Sequence, residues 1–140
     1  MGFDYQTELE WSGELKVVLS PGNGKDGIRS ATRPEFGGHE GFVSPEDMFV
    51  GSMNACFMTT FLVFAKKTGI DLVSYKSNAV GHLEKVGGKN VFTKIVVRPQ
   101  IKANASRDEI MAVVDHVKEY SIVLNSIRTD VEIEATIVKE

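Results

Sequence analysis

The sequence predicts an α+β fold, and three observations carry that expectation. Period-2 alternation of apolar and polar residues recurs near both ends of the chain and through a long central stretch, the pattern of strands with one buried face. Two segments, Ser44-Pro45-Glu46-Asp47 and Ser106-Arg107-Asp108-Glu109, carry the chemistry of helix starts. The resulting order, β-β-β-α-β-β-α-β, groups strands before each helix and implies antiparallel pairing.

Each element has its own signal. Tyr5, Thr7, Leu9 and Trp11 alternate with Asp4, Gln6, Glu8 and Glu10, predicting a half-buried first strand. Ser12-Gly13 reads as a turn, and Leu15, Val17 and Leu19 continue the alternation on a second strand. Pro21-Gly22-Asn23-Gly24 turns the chain toward a short third strand near Gly27 to Thr32, completing a β-meander. Residues 33–45 (RPEFGGHEGFVSP) form a Gly- and Pro-rich loop. Ser44 then caps a helix expected from about Glu46 to Lys67, with Pro45 at its first position and two carboxylates at the positive end of its dipole. Its apolar residues (Met48, Phe49, Val50, Met53, Phe57, Met58, Phe61, Leu62, Phe64) occupy more than one stripe. A helix that apolar is covered on several sides, and one small domain has little material for that, so a partner subunit is expected.

From Leu72 to Ala103, two long strands flank the hairpin pair Gly87-Gly88, with Val91, Thr93, Ile95, Val97 and Ile101 expected on the inward face. Ser106 to Glu109 is a capping box opening a second helix that runs to about Tyr120. A last strand alternates Val131, Ile133, Ala135 and Ile137 against Glu132, Glu134 and Thr136.

Length and composition narrow the function classes. The 140 residues are one domain's worth of chain, 42% of them hydrophobic, with a net charge of −3. There is no run of Lys or Arg to bind phosphates, so nucleic acid is not an expected partner. The apolar stretch from Met48 to Ala65 is interrupted by Gly51, Ser52, Asn54, Thr59 and Thr60, which suits a buried helix better than a membrane span. The first residues lack a secretory pattern, and a single cysteine fits a reducing compartment, so a cytoplasmic protein is expected. Residues 22–27 satisfy GxGxxG, but no helix follows to hold a pyrophosphate, so the segment reads as a Gly-rich turn. His39, His82 and His116 are scattered without ligand spacing; neither a metal site nor a cofactor is expected.

Cys56 is the remaining chemical feature. Between Ala55 and Phe57 it reads first as a small core residue. It sits mid-helix, out of reach of the N-terminal dipole, and apolar burial would raise its pKa. A reactive thiol here would need a cation brought from elsewhere, and Arg29 and Arg33 are the candidates. Glu46 stands ten residues before it, about 15 Å along a straight helix and roughly 80° around it. A glutamate side chain cannot bridge that distance along one helix.

The segment GGHEGFVSPEDMFVGSMNACF (37–57) resembles the signature of the OsmC/Ohr family, in which a Gly-rich loop leads to [S/N]-P-E and an A-C-F follows on a long central helix. The element order agrees along the whole chain, so the likeness covers residues 1–140 as one OsmC-like domain. It implies an intertwined homodimer with two active sites at the subunit interface, and reduction of organic hydroperoxides by a peroxidatic cysteine. Matched residue by residue, Cys56 takes the peroxidatic position and Glu46 the assisting glutamate. The assisting arginine falls on Arg33, with Arg29 as the other candidate. The family's second cysteine aligns with Ser121, a departure from the two-cysteine cycle. The expected function is therefore a one-cysteine hydroperoxide reductase, its sulfenic acid restored by an external thiol. The alternative is a non-enzymatic dimer that binds a small apolar ligand or senses oxidants.

Overall fold

The computed structural model describes residues 2–22 and 26–139. The chain forms two compact units, Met1–Phe49 and Val50–Glu140.

In the first unit, β1 (Glu8–Gly13), β2 (Lys16–Ser20) and β3 (Ile28–Ala31) form the expected antiparallel meander. Two details differ from the sequence reading. The chain reverses at Glu14-Leu15 rather than at Ser12-Gly13. Gly13 (φ 109°) and Glu14 (φ 51°) are both left-handed there, and the Trp11 indole N–H donates to the Glu14 carbonyl at 2.9 Å. The first strand is also not half-buried. Leu9 and Trp11 are 65% and 72% exposed, so its apolar face is open within one chain. The expected Pro21–Gly24 turn and the GxGxxG stretch include residues 23–25, which lie outside the described residues.

A single 3-10 turn, Pro34–Phe36, precedes α1 (Pro45–Lys67), whose first residues close the first unit. Ser44 caps α1: its hydroxyl accepts the Asp47 N–H at 3.0 Å, and its own N–H donates to the Asp47 carboxylate at 2.9 Å. Gly69 (φ 74°) terminates the helix, with the Ile70 N–H returning to the Ala65 carbonyl at 2.9 Å.

The second unit holds the main core. Met53, Phe57, Phe61 and Ala65 repeat every four residues along α1 and are buried. With Ile95, Val97, Ile101, Ile110, Val113, Val114 and Val117 they form the core. By length and composition α1 could cross a membrane, and this buried row instead makes it the core helix of the unit. Part of its surface stays open within one chain: Leu62 and Val63 are 38% and 51% exposed.

β4 (Asp71–Val86) and β5 (Lys89–Asn104) make one long hairpin across Gly87-Gly88, both left-handed. Ile95, Val97 and Ile101 are buried as expected, but Val91 is 40% exposed. A register shift opposite His82/Leu83 leaves Thr93 unpaired, which changes the parity of the strand, so Phe92 turns inward instead. Phe92 packs where Gly81 has no side chain: a Cβ on Gly81 would lie 2.9 Å from Phe92 and 2.5 Å from Val50.

α2 (Arg107–Tyr120) opens on the expected box, with the Glu109 N–H on the Ser106 hydroxyl at 3.1 Å and the Ser106 N–H on the Glu109 carboxylate at 3.3 Å. A four-residue helix, α3 (Ile122–Asn125), follows and was not anticipated. The expected last strand is split into β6 (Asp130–Ile133) and β7 (Thr136–Ile137), and both pair with β5 in parallel. This corrects the all-antiparallel expectation. α2 carries the chain from the end of β5 back to its middle, and a strand that follows such a crossover runs with its neighbour. Pro99 of β5, which lacks an N–H, sits in the interval between the two short partners.

Candidate functional site

Cys56 lies half-buried on α1, one residue before the core residue Phe57. Its Sγ is 3.0 Å from the Ser121 Oγ and 3.8 Å from the Thr60 Oγ1. Thr60 is one turn further along the same helix, the i, i+4 neighbour that α geometry brings alongside. Ser121 comes from the junction where α2 ends and α3 begins. It is fully buried, and its backbone is fixed on both sides: its N–H donates to the Val117 carbonyl at 2.9 Å and its carbonyl accepts the Asn125 N–H at 3.0 Å.

Burial pushes the Cys56 thiol up, but hydrogen bonds from the Ser121 hydroxyl, the Val123 N–H, the Thr60 hydroxyl and the Ile122 N–H outweigh it, leaving the thiol below its ordinary value. All four of these lowering groups are uncharged and belong to the same chain, and neither Arg29 nor Arg33 is among them. Dipolar donors from the α2–α3 junction stabilise the thiolate, and the short helix that supplies two of them was invisible to the sequence reading.

The first unit gathers the charged residues. The Arg33 Nε donates to Glu35 at 2.6 Å and its Nη1 to Asp47 at 3.0 Å, so its guanidinium is held charged chiefly by Glu35, then Asp47, with a weaker attraction from Glu46. Arg33 in turn holds the Glu35 carboxyl below the usual carboxylate range. Asp47 is lowered by the Ser44 N–H first and by Arg33 after it. Arg29, the other candidate cation, has its guanidinium carbon 5.1 Å from the centre of the Phe42 ring, which Lys16 also approaches at 5.7 Å. Glu46 occupies the first turn of α1.

Among the expected site residues, then, the structure joins Cys56 to Ser121, while Arg33 pairs with Glu35 and Asp47 rather than with Glu46. Asp47 was missed, although Ser44-x-x-Asp47 is itself a capping-box spacing and marks that residue for a fixed position. Thr60 was missed as well, although its spacing from Cys56 was readable.

A family model described as OsmC-like protein matches residues 37–136. No curated protein matches the chain significantly in sequence. Solved structures match along nearly the whole length. An OsmC-like protein of unknown function from Vibrio cholerae is 25% identical with a TM-score of 0.86, over 96% of this chain and 99% of that one. An OsmC-like protein from Mycoplasma pneumoniae is 18% identical with a TM-score of 0.85, over 99% and 100%. The organic hydroperoxide resistance protein OsmC from Legionella pneumophila is 20% identical with a TM-score of 0.76, over 98% of each chain. The last two likenesses show the fold. The family match runs through Glu46, Cys56 and Ser121, while Arg29 and Arg33 precede it. Since that match spans most of the chain and the two-sheet α+β architecture agrees with it, the protein belongs to the OsmC-like family.

Proposed function

We propose that this protein is a thiol-dependent organic hydroperoxide reductase with Cys56 as its single peroxidatic residue. The observation that carries the reading is the environment of Cys56: a half-buried thiol with hydrogen-bond donors gathered on its sulfur and a pKa below the ordinary value. Two structurally similar proteins, from Legionella pneumophila and Elizabethkingia anophelis, are named organic hydroperoxide resistance proteins, which agrees with it.

The chemistry balances with one cysteine and an external thiol. The Cys56 thiolate attacks the terminal oxygen of ROOH; the S–O bond forms, the O–O bond breaks, and RO⁻ leaves and takes a proton as ROH. One thiol molecule condenses with the sulfenic acid, releasing water and forming a mixed disulfide. A second thiol displaces Cys56 as thiolate, so two thiols are oxidised for each peroxide reduced. Ser121 cannot substitute for either, because a hydroxyl forms no disulfide.

Both units act as one OsmC-like domain in a cytoplasmic homodimer in this reading. Each unit leaves apolar residues exposed that a second copy could cover, Leu9 and Trp11 in the first and Leu62 and Val63 in the second. Glu46 and Arg33 of one subunit would then assist Cys56 of its partner.

Peroxide consumption with a panel of thiol donors tests the proposal. Turnover is expected with added thiol and a stop after a single turnover without it. An unmodified protein mass with peroxide untouched would refute the reductase and leave the alternative, a dimer that binds a small apolar ligand.

A further inference from the structure

We propose that Ser121 is a positioning residue for Cys56, its buried hydroxyl donating to the sulfur and holding it as the thiolate. This rests on the reading of Cys56 as the working thiol, and it assigns a role to a position where that reading by itself leaves only an absent resolving cysteine.

The bland alternative is that Ser121 merely joins two helices. The hydrogen bonds argue otherwise. Ser121 ends α2 through its backbone N–H, and its side chain makes no capping bond to α3. The hydroxyl is thus not engaged by the junction, and its partner is the Cys56 sulfur at 3.0 Å. A hydroxyl that is fully buried has no water to turn to, and unpaired it would cost free energy. Against a neutral thiol the single Ser121 proton can serve as donor or the oxygen as acceptor. Against a thiolate only donation is possible, and a hydrogen bond to a charged acceptor is the stronger kind. The pair therefore favours the charged form. The backbone bonds on both sides of Ser121 keep the oxygen in place, so the donor is aimed before any substrate arrives. Thr60, at 3.8 Å, is placed to contribute less.

Alkylation of Cys56 measured against pH tests this without any peroxide, on the intact full-length protein. Relative to wild type, Ser121→Ala should raise the midpoint by about 1 pH unit, the size of one hydrogen bond to a charged group. Below both midpoints its alkylation should be about tenfold slower. Thr60→Ala should shift the midpoint less, and Ser121→Thr, which keeps a hydroxyl, should restore part of the loss. Thermal melts by circular dichroism establish that each variant is folded. A folded Ser121→Ala with an unchanged midpoint overturns the proposal. Where Ser121→Ala does not fold, Ser121→Gly takes its place: a raised midpoint in that folded variant supports the proposal, and an unchanged one overturns it. A wild-type protein with a lowered midpoint that consumes no peroxide would refute the reductase while leaving this assignment standing.

Discussion

Replacing Ser121 with cysteine should convert the one-cysteine site into a disulfide-forming pair. The two side-chain heteroatoms already stand 3.0 Å apart, and a disulfide needs about 2.05 Å, so roughly 1 Å must be closed. The longer Cβ–S bond and a small side-chain rotation can supply that. The bridge would tie residues 65 apart in sequence. In the chain-entropy description, closing such a loop stabilises the folded state by at most about 4 kcal/mol. For a chain of this size that corresponds to a rise in Tm of roughly 10 °C in the oxidised form, absent when a reductant is present. Intact-protein mass spectrometry after one equivalent of peroxide reads the outcome. Ser121→Cys should lose two hydrogens and resist further oxidation, whereas the native protein should gain oxygen at Cys56 and pass toward sulfinic acid with excess peroxide. If Ser121→Cys instead keeps a free thiol beside an oxygenated Cys56, the placement of the α2–α3 junction over the sulfur is wrong.

Two further outcomes follow from packing and charge. Gly81→Ala should destabilise the protein by about 1–3 kcal/mol, read from the denaturant midpoint, because the new methyl would stand 2.5 Å from Val50 and 2.9 Å from Phe92; an unchanged midpoint would mean that β4 moves freely away from α1. Asp47 has its folded pKa depressed below 3.8, so its contribution to stability is complete above that value and is lost as pH falls through the lower, folded one. Asp47→Asn should therefore flatten the acid limb of a plot of Tm against pH, and a limb as steep as that of the native protein would assign the loss to other carboxylates.

Most of the architecture was legible because local chemistry and global fold agree. Ser106-x-x-Glu109, Gly87-Gly88 and Ser44-Pro45 each predict an element boundary, and each boundary falls there. What escaped depends on long-range geometry. The parallel pairing of β6 follows from where α2 delivers the chain, and nothing in the alternation of Val131 and Ile133 encodes direction. The bulge at Thr93 reverses which residues face inward, and a period-2 count cannot see one extra residue. For the site, Cys56 and Ser121 were identified through family resemblance. Their contact spans two elements far apart in the chain, and composition alone left Cys56 as packing. The open apolar face of β1 was misjudged for a related reason: alternation marks a face that can be buried, without saying by what.

The separation of Cys56 from Ser121 also sets when in the life of the protein the thiol acquires its character. During synthesis Cys56 is made first, and the ribosome adds about 5–20 residues per second, so the 65-residue interval takes roughly 3–13 s. Until Ser121 has emerged and α2 has docked, the cysteine has the ordinary thiol pKa of about 8.5 and is mostly protonated at neutral pH. If Ser121 holds the sulfur as proposed, the lowered thiol is assembled only with the finished fold. The β4–β5 hairpin, made from contiguous chain, can pair before that moment. On that proposal, folding itself times the appearance of the thiolate, with no separate switch needed.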